Sequence, residues 1–374
     1  MAREIPDVHF RLENLTNGRY HRVGELSTPT LREMRRMAVD ESYLWGTLKV
    51  TVLKGDVGEL LRNPGNKYAT FQVASQFNAL ETKSPEYGPD FGVTGYSVDG
   101  TQGPCCCIAC GPATVARNYF VRPEADGSGY LKAKNPTGQT SNMQINCFMD
   151  LHNHLGNDLP SAREELSMKN GYLMAGSEVV LHSLGEKIAH WDRYAVDAAT
   201  ALLRVCRHKG IEVTSSHWGT QLLCGSSEHL VTQIFGAACP VAYNAHIDAC
   251  AWKELAMLVL KASYEAALWG ALEQMKFYGG AHASNKIFLT LLGDGVFGND
   301  IFWIAQSLEW ALRKFRHFAL EVYIVIFQKP FPPEIERVVQ QFMQNIAMPS
   351  VGVDCQVVAT GGMAIDGSRM HMSC

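Results

Sequence analysis

The sequence lacks an excess of charge, a long apolar run and an apolar leader. Lys and Arg number 33 against 37 Asp and Glu, a net charge of −4, which argues against a nucleic-acid-binding surface. No run of about 18 apolar residues occurs, so we expect no membrane span. The N-terminus, Met-Ala-Arg-Glu-Ile-Pro-Asp, lacks the apolar core of a signal peptide. These absences predict a cytoplasmic protein that binds neither nucleic acid nor membrane.

The sequence also lacks a recognisable metal site. Its 11 cysteines are odd in number and scattered. The cluster Cys105-Cys-Cys-Ile-Ala-Cys110 is not followed by a His or Cys pair at zinc-site spacing. We interpret these thiols as reduced and buried, where they pack as small apolar residues. His152 and His154 are assigned to a helix surface. We therefore predict no metal and no cofactor.

What is present is ordinary globular material: 374 residues, 47% hydrophobic and 19% charged, enough for one large domain or two smaller ones. Continuous apolar runs predict strands at 48–53, 68–74, 211–215, 286–291 and 320–327. Helices are predicted at 30–39, 57–61, 104–119, 147–155, 176–189, 196–208, 227–237, 252–276, 301–315 and 334–347. Because strands alternate with helices, we predict an α/β fold with a sheet that helices cover on both faces.

The predicted domain organisation has three parts. Residues 1–46 form an N-terminal extension, 47–347 the main domain and 348–374 a loose C-terminal tail. A large, mainly helical insertion is predicted within the main domain at about 121–250. It either shapes a surface for a target protein or only extends the fold.

A glycine-rich turn is the most informative single motif. Residues 287–291 are apolar or β-favouring, and they lead into Gly293-x-Gly295-x-x-Gly298 and then a helical pattern. Such a turn can hold phosphate, because the glycines let the backbone come close and the helix N-terminus offers unpaired N–H groups. Alone it is weak, since the pattern also occurs as a plain strand-to-helix turn.

Two other loops lie at the carboxyl ends of predicted strands, where α/β folds bind ligands. Asp56, in Lys54-Gly-Asp-Val57, is either a plain helix N-cap or a carboxylate that binds an exocyclic amine. The long loop 81–103 is rich in Gly, Asp, Pro and Ser, and its aromatic and acidic residues favour a functional loop.

These segments resemble macrodomains, and the resemblance implies a mixed sheet between helices. In that family, a Gly-Asp-Ile motif like Lys54-Gly-Asp-Val57 binds the adenine amino group, and a strand like Phe71-Gln-Val-Ala-Ser-Gln-Phe-Asn78 ends in an asparagine facing the distal ribose. Asp99-Gly-Thr-Gln-Gly-Pro104 resembles the glycine loop against that ribose, and Leu292-Gly-Asp-Gly-Val-Phe-Gly298 the second phosphate loop. Order and spacing agree over residues 48–119 and 251–327.

Over roughly residues 45–330 the chain is similar to a narrower group, the macrodomain proteins related to poly(ADP-ribose) glycohydrolases. Further shared segments are Gln144-Ile-Asn146, Pro240-Val-Ala-Tyr243 and Leu291-Leu-Gly-x-Gly-x-Phe-Gly-Asn299. The group includes bacterial effectors that remove ADP-ribose from arginine. The resemblance implies two partners, ADP-ribose and an ADP-ribosylated protein, and hydrolysis of the glycosidic bond at the distal ribose.

The resemblance also implies site residues. At the adenine it places Asp56 and Val57, with Phe327 either stacking there or belonging to the core. At the distal ribose it places Asn78, Thr101 and Gln102. At the pyrophosphate it places Gly103, Gly293, Gly295, Val296, Phe297 and Gly298, and Asn299 is a further ligand-binding residue. Tyr96 and Tyr243 are expected to line the pocket. We expect Asp56, Asn78 and Gly295 to converge on one cleft.

Catalysis at ribose C1″ passes through an oxocarbenium-like state that requires nearby carboxylates. Asp99 is our first candidate for a catalytic carboxylate, Asp90 the second and Glu81 the third. The alternative for each is a solvent-exposed loop acid without a catalytic role. Two positions depart from the family pattern. Asp294 replaces an expected glycine beside the pyrophosphate, and Pro89-Asp-Phe-Gly92 carries one acid where a pair is expected.

Two other functions remain open from sequence. A reader module would bind ADP-ribose without cleaving it. A dinucleotide oxidoreductase would use the glycine loop, but that loop lies near the C-terminus, and Glu321 begins a strand where an acid should follow one.

Overall fold

The computed structural model describes residues 10–37, 44–132, 137–223, 228–277, 284–327 and 329–347. The predicted tail at 348–374 lies outside them. The strands are β1 (Phe10–Asn14), β2 (Arg19–Ser27), β3 (Lys49–Lys54), β4 (Thr70–Ser75), β5 (Val121–Pro123), β6 (Gly129–Leu131), β7 (Leu166–Lys169), β8 (Tyr172–Ala175), β9 (Cys206–Glu212), β10 (Ser215–Ser216), β11 (Gln221–Leu222), β12 (Leu230–Ala237), β13 (Lys286–Thr290) and β14 (Glu321–Ile326).

The helices are α1 (Leu31–Met37), α2 (Val57–Arg62), α3 (Gln102–Ala109), α4 (Gly111–Tyr119), α5 (Met149–Asp158), α6 (Pro160–Glu165), α7 (Glu178–Ala189), α8 (Arg193–Thr200), α9 (Lys253–Phe277), α10 (Ile301–Lys314) and α11 (Pro333–Ala347). The helix predicted at 104–119 is therefore two helices, α3 and α4. The predicted helix 30–39 is α1, and its last two positions lie outside the described residues.

Eight strands form one mixed sheet in the order β1-β2-β9-β12-β4-β13-β14-β3. From β12 to β3 all neighbours are parallel, while β9, β2 and β1 run antiparallel to their neighbours. Every residue of β12 is buried, as expected of a strand covered on both faces. The predicted α/β class with a mixed sheet between helices is confirmed. The five parallel strands direct their carboxyl ends to one edge of the sheet.

Helix α9 packs along β12, β4 and β13, and α10 packs on α9. The segment Ala249–Phe277 is long and apolar enough to cross a membrane, but 89% of its most apolar window is buried inside the protein. It serves here as the central helix of the core.

Residues 121–250 differ from their prediction. They carry the four helices α5 to α8, but they also supply β9 and β12 to the central sheet. The helix predicted at 227–237 is wrong, because Leu230–Ala237 form strand β12; residue 227 lies outside the described residues. The predicted helix 196–208 ends at Thr200, and β9 begins at Cys206. A short buried apolar run fits either periodicity, and only its neighbours decide between helix and strand.

The predicted N-terminal extension also joins the sheet. Strand β2 pairs antiparallel with β9, and β1 pairs with β2 at the sheet edge. The extension therefore adds two strands to the antiparallel half, away from the carboxyl ends of the parallel strands.

Candidate functional site

A cleft of about 490 Å³ opens at the carboxyl ends of the parallel strands. It is lined by the turn after β3, the end of β4, the loop around Glu81, the start of α3, and the loops after β12, β13 and β14. Because these seven segments come from distant parts of the sequence, the sheet is what brings them together.

The cleft exists because β4 and β13 separate. Their pairing covers only Thr70 with Ile287 and Phe71 with Phe288. Beyond that point the Gln102 side chain bonds β4 instead: its Nε2 donates to Gln72 O at 3.1 Å, and Ala74 N donates to its Oε1 at 3.0 Å. Gln102 was expected to bind the distal ribose. Its amide is instead committed to the backbone of β4, although the residue still lines the cleft.

Asp56 lies at one end of the cleft as the N-cap of α2. Its Oδ1 accepts a hydrogen bond from Gly58 N at 2.7 Å, while its Oδ2 has no hydrogen-bond partner within the described ranges. Val57 follows and is buried. Phe327, 36% exposed, also lines the cleft, at the end of β14, which pairs with β3. The open carboxylate oxygen and an aromatic ring thus lie at the ends of adjacent strands.

Trp218 lines the same cleft and was missed in the sequence analysis. His217 and Trp218 both have positive φ, 46° and 57°, a conformation that non-glycine residues rarely adopt and that concentrates at functional sites. The His217 Nδ1 lies 3.1 Å from Glu59 Oε1 of α2, which holds this turn over the Asp56 end. Backbone strain is invisible in a sequence, so no pattern could indicate Trp218.

The glycine loop after β13 presents free backbone donors. The amides of Gly295, Val296 and Phe297 donate no hydrogen bond to any described residue, and all three residues line the cleft. Gly293 and Gly298 have φ of 78° and 71° and permit the turn itself. A cluster of unpaired N–H groups of this kind favours an anion.

Two residues expected in this loop do not line the cleft. Gly298 packs against Ala242, where an added Cβ would lie at 3.0 Å. Asn299 is buried, and its Nδ2 donates to Cys239 O at 2.8 Å while its backbone N donates to Gly293 O. Asn299 therefore closes the loop and does not reach the cleft.

Asp294 replaces the expected glycine, and its charge is paired. Its Oδ2 lies 3.0 Å from Lys329 Nζ, and both residues line the cleft. The pair is partly solvent-exposed, so its own contribution to stability is small. Lys329 was missed because it lies on a different loop, 35 positions along the chain.

Glu81 lines the part of the cleft next to Gly103 and is buried, 8% exposed. Its backbone N donates to the Tyr96 hydroxyl at 2.9 Å, and its Oε1 has no hydrogen-bond partner among the described residues. Burial raises the pKa of the Glu81 carboxyl well above its ordinary value, and the nearby Asp99 adds to this. A buried carboxyl with a raised pKa keeps its proton to higher pH than an exposed one, and with a free oxygen it can act as a general acid.

Asp99 lines the cleft beside Glu81. Its Oδ1 accepts hydrogen bonds from Thr101 N at 3.0 Å and Thr101 Oγ1 at 2.6 Å, so Thr101 orients this carboxylate. Gly103, two residues later, approaches Glu81 so closely that an added Cβ would lie 2.4 Å from its carboxyl. The start of α3 thus places a second acid at the Glu81 end.

The structure does not bring Asp90 or Asn78 into the cleft. Asp90 is exposed, and its bonds from Ser141 N and Oγ lower the pKa of its carboxyl. Asn78 is fully buried; its Nδ2 donates to Gln144 Oε1 at 2.9 Å, and its Oδ1 accepts from Leu80 N. Of the three residues expected to converge, Asp56 and Gly295 line one cleft. Asn78 does not, and its side chain stabilises the turn before Glu81. Its partner Gln144 is too distant in sequence to be anticipated.

No family model and no curated protein matches this chain. Several solved structures are similar to it, and two bacterial ones serve as examples. The poly(ADP-ribose) glycohydrolase from Deinococcus radiodurans in complex with ADP-ribose is 14% identical, with a TM-score of 0.44 over 87% of this chain and 96% of that chain. The one from Thermomonospora curvata is 12% identical, with a TM-score of 0.42 over 89% and 93%. Similarities this distant do not transfer residue roles, so the function must be inferred from the geometry of the cleft itself.

Three aromatic rings form a cluster at the Glu81 end. Tyr172, Tyr243 and Phe297 contact one another with ring centroids 5.0 to 5.7 Å apart, and all three line the cleft. The Tyr243 hydroxyl donates to Lys83 O at 3.2 Å. Tyr243 was expected at the pocket, whereas Tyr96 lies buried behind Glu81 and does not line it.

The cysteine cluster behaves as expected of buried thiols. Cys105, Cys106, Cys107 and Cys110 are buried, and burial raises the pKa of each thiol above its ordinary value. Neutral thiols are poor nucleophiles and poor metal ligands. Cys105 lines the cleft, where its neutral thiol donates to Asp56 Oδ1 at 3.8 Å and offers no reactive thiolate.

Proposed function

We propose that this protein is an ADP-ribosylhydrolase that removes ADP-ribose from modified protein side chains, with arginine as the favoured linkage. The observation that carries the proposal is a single cleft lined both by Asp56 and by the buried carboxyl of Glu81, whose pKa burial raises well above its ordinary value. The three free amides of the glycine loop line the same cleft.

ADP-ribose fits the order of groups along this cleft. A purine amino group can donate to the free Oδ2 of Asp56, with Phe327 and Trp218 as aromatic neighbours. The diphosphate suits the unpaired amides of residues 295–297 and the Lys329 ammonium. The distal ribose then reaches Gly103 and Glu81. The cleft volume of about 490 Å³ lies within the ordinary range for ligand sites.

Hydrolysis requires a proton donor for the leaving group and a base that accepts a proton from the attacking water. In the proposed reaction the Glu81 carboxyl donates its proton to the leaving side-chain nitrogen as the C1″–N bond breaks. Water adds to C1″, and its proton passes to the Asp99 carboxylate and then to solvent, after which Glu81 is reprotonated. The products are free ADP-ribose and the unmodified side chain. Asp99 also stabilises positive charge on the ribose in the oxocarbenium-like state.

The Glu81 end favours a planar cationic leaving group. The faces of aromatic rings attract guanidinium groups, and carboxylates pair with them. Burial raises the pKa of the Tyr243 phenol, and the neighbouring carboxylates Asp99 and Glu86 raise it further. The carboxylates of Asp99 and Glu86 thus lie close enough to act on Tyr243, and such a neighbourhood suits the guanidinium of arginine better than a serine hydroxyl or a glutamate carboxyl.

ADP-ribose binding is tested through Asp56→Ala. Free ligand at about 100 times Kd should stabilise the wild-type protein by about 2.7 kcal/mol, a rise in Tm of roughly 2–4 °C at this chain length. Asp56→Ala should abolish that rise. The matched control is Asp300→Ala, which removes an N-cap with the same 2.7 Å bond, to Phe302 N, outside the cleft. Unchanged ligand stabilisation of Asp56→Ala would contradict the proposed orientation.

Cleavage is tested separately, because a reader module would also bind. The protein is incubated with substrates ADP-ribosylated on Arg, Ser or Glu, and release is followed by mass spectrometry. We expect release from the arginine-linked substrate first. Binding without release from any of the three would favour the reader module.

The Asp294–Lys329 pair yields two opposite effects on affinity. Lys329→Met leaves the Asp294 carboxylate unpaired beside the diphosphate, so Kd for ADP-ribose should rise about tenfold. Asp294→Asn frees the ammonium for the diphosphate and should lower Kd. Titration calorimetry at low and high salt measures both, and the effects should shrink as salt screens them. Equal Kd values for the two variants would place the diphosphate elsewhere.

A further inference from the structure

Arg117 is a fully buried arginine that the proposed reaction does not use. It lies on α4 with 0% exposure, an unusual location for this side chain. Its guanidinium carbon lies 3.9 Å from the centroid of the Phe235 ring, and its Nη2 lies 2.9 Å from Cys107 Sγ. Removing a charge of this size from water is costly, so its retention calls for a physical reason.

The guanidinium holds the turn that carries Glu81. Its Nε donates to Ala79 O at 2.7 Å, and Ala79 has a φ of 60°, which is unusual for alanine. The Gln139 Nε2 donates to both Asn78 O and Arg117 O, at 3.2 Å each. Arg117 and Gln139 together fix the backbone two to three residues before the buried acid.

The positive charge of the same guanidinium also acts on the Glu81 carboxyl. Arg117 opposes the rise in the pKa of the Glu81 carboxyl that burial causes. Arg117 Nη1 and Glu81 Oε1 are both buried without a hydrogen-bond partner among the described residues. The other groups facing this carboxyl are Asp99, Tyr96, Tyr172, Cys106 and Cys107. Burial raises the pKa values of the two phenols and two thiols, so they stay neutral, and Arg117 is the cation of the set.

We propose that Arg117 is the positioning residue of this site: it fixes the turn that carries Glu81 into the cleft and supplies the buried positive charge that Glu81 faces. The inference rests on the proposed hydrolase function for its kinetic consequences, but not for its structural ones. Arg117 lies outside the cleft lining and acts only through Glu81.

Two variants separate positioning from charge. Arg117→Lys keeps the charge but loses the planar fork that bonds Ala79 O, so kcat should fall about tenfold or more with Kd for ADP-ribose unchanged. Arg117→Met removes the charge, so the pKa of Glu81 should rise, and the pH above which kcat declines should move up by roughly one unit. In Arg117→Lys that pH should stay where it is in the wild type.

A direct titration makes the outcome independent of turnover. The side-chain carboxyl carbon of Glu81, identified by its loss in Glu81→Gln, is followed by ¹³C NMR against pH in the wild type and both variants. A higher midpoint in Arg117→Met, with a near wild-type midpoint in Arg117→Lys, supports the proposal. Equal midpoints in all three proteins, or full kcat in Arg117→Lys, would overturn it.

Foldedness and function are checked independently. If Arg117→Met does not fold, Arg117→Lys decides the matter: wild-type kcat refutes positioning, and a loss of kcat at unchanged Kd supports it. If the wild type releases no ADP-ribose from any substrate, the hydrolase proposal fails. The NMR midpoints then still decide whether Arg117 sets the titration of Glu81.

Discussion

Glu81→Gln should lower kcat for ADP-ribose release by about 10²–10⁴-fold, the usual contribution of a general acid, while Kd for ADP-ribose stays within a few-fold. Glutamine keeps the size of the side chain but cannot transfer the proton. The matched control is Asp90→Asn, because Asp90 lies on the same loop yet is exposed and outside the cleft. Single-turnover release by mass spectrometry measures the effect. Retained release in Glu81→Gln, or an equal loss in Asp90→Asn, would contradict the assignment.

The same substitution should stabilise the fold at high pH. Burial raises the pKa of Glu81 above its ordinary 4.5, so the stability associated with the neutral carboxyl is fully present below the unfolded pKa. It is lost as pH rises through the folded pKa. Glutamine cannot ionise, so Glu81→Gln should melt higher than the wild type above the folded pKa. The difference should vanish below about pH 4.5, and kcat of the wild type should decline over the upper range.

Gly103→Ala should disable both the fold and the reaction. An added Cβ would lie 2.3 Å from Ala74 O and 2.4 Å from the Glu81 carboxyl, so α3 must move away from β4. Overpacking of this kind costs about 1–3 kcal/mol. A shift of the acid by about 1 Å lowers the rate by about 10²-fold. Release should therefore fall at least that far.

The matched control for Gly103 is Gly295→Ala. Gly295 also lines the cleft, but a Cβ there would meet nothing within 4 Å. Urea unfolding should show wild-type stability for Gly295→Ala and a lower midpoint for Gly103→Ala. Equal midpoints for the two variants would show that α3 and β4 are less tightly packed than the distances imply.

Local motifs were predictable from sequence, because a strand, a tight turn and a helix are encoded by consecutive residues. Asp56 as an N-cap and the glycine loop after β13 depend on such patterns. The α/β class follows from the same alternation. The stretch 227–237 was misread because a buried apolar run carries no period of its own.

The environments of the candidate acids could not be predicted from sequence: Asp99 and Glu81 line the cleft, and Asp90 does not. Glu81 and Asp90 lie on one loop, and their environments are decided by distant partners. Arg117 and Gln139 hold the turn before Glu81, whereas Ser141 holds Asp90 outside the cleft. Each contact spans at least 38 positions, the smallest separation being that between Arg117 and Ala79, so no local pattern records it.

Because Ala74 N donates to the Gln102 side chain, this backbone amide reports on the separation of β4 from β13. Its deuterium uptake depends on a side-chain acceptor rather than on a neighbouring strand. Slow exchange at Ala74 N would show that the Gln102 side chain keeps β4 and β13 apart in the protein without ligand. Faster deuterium exchange at Ala74 N, with the amides of β12 still protected, would show local opening between β4 and β13. This measurement requires neither an enzymatic assay nor a bound nucleotide.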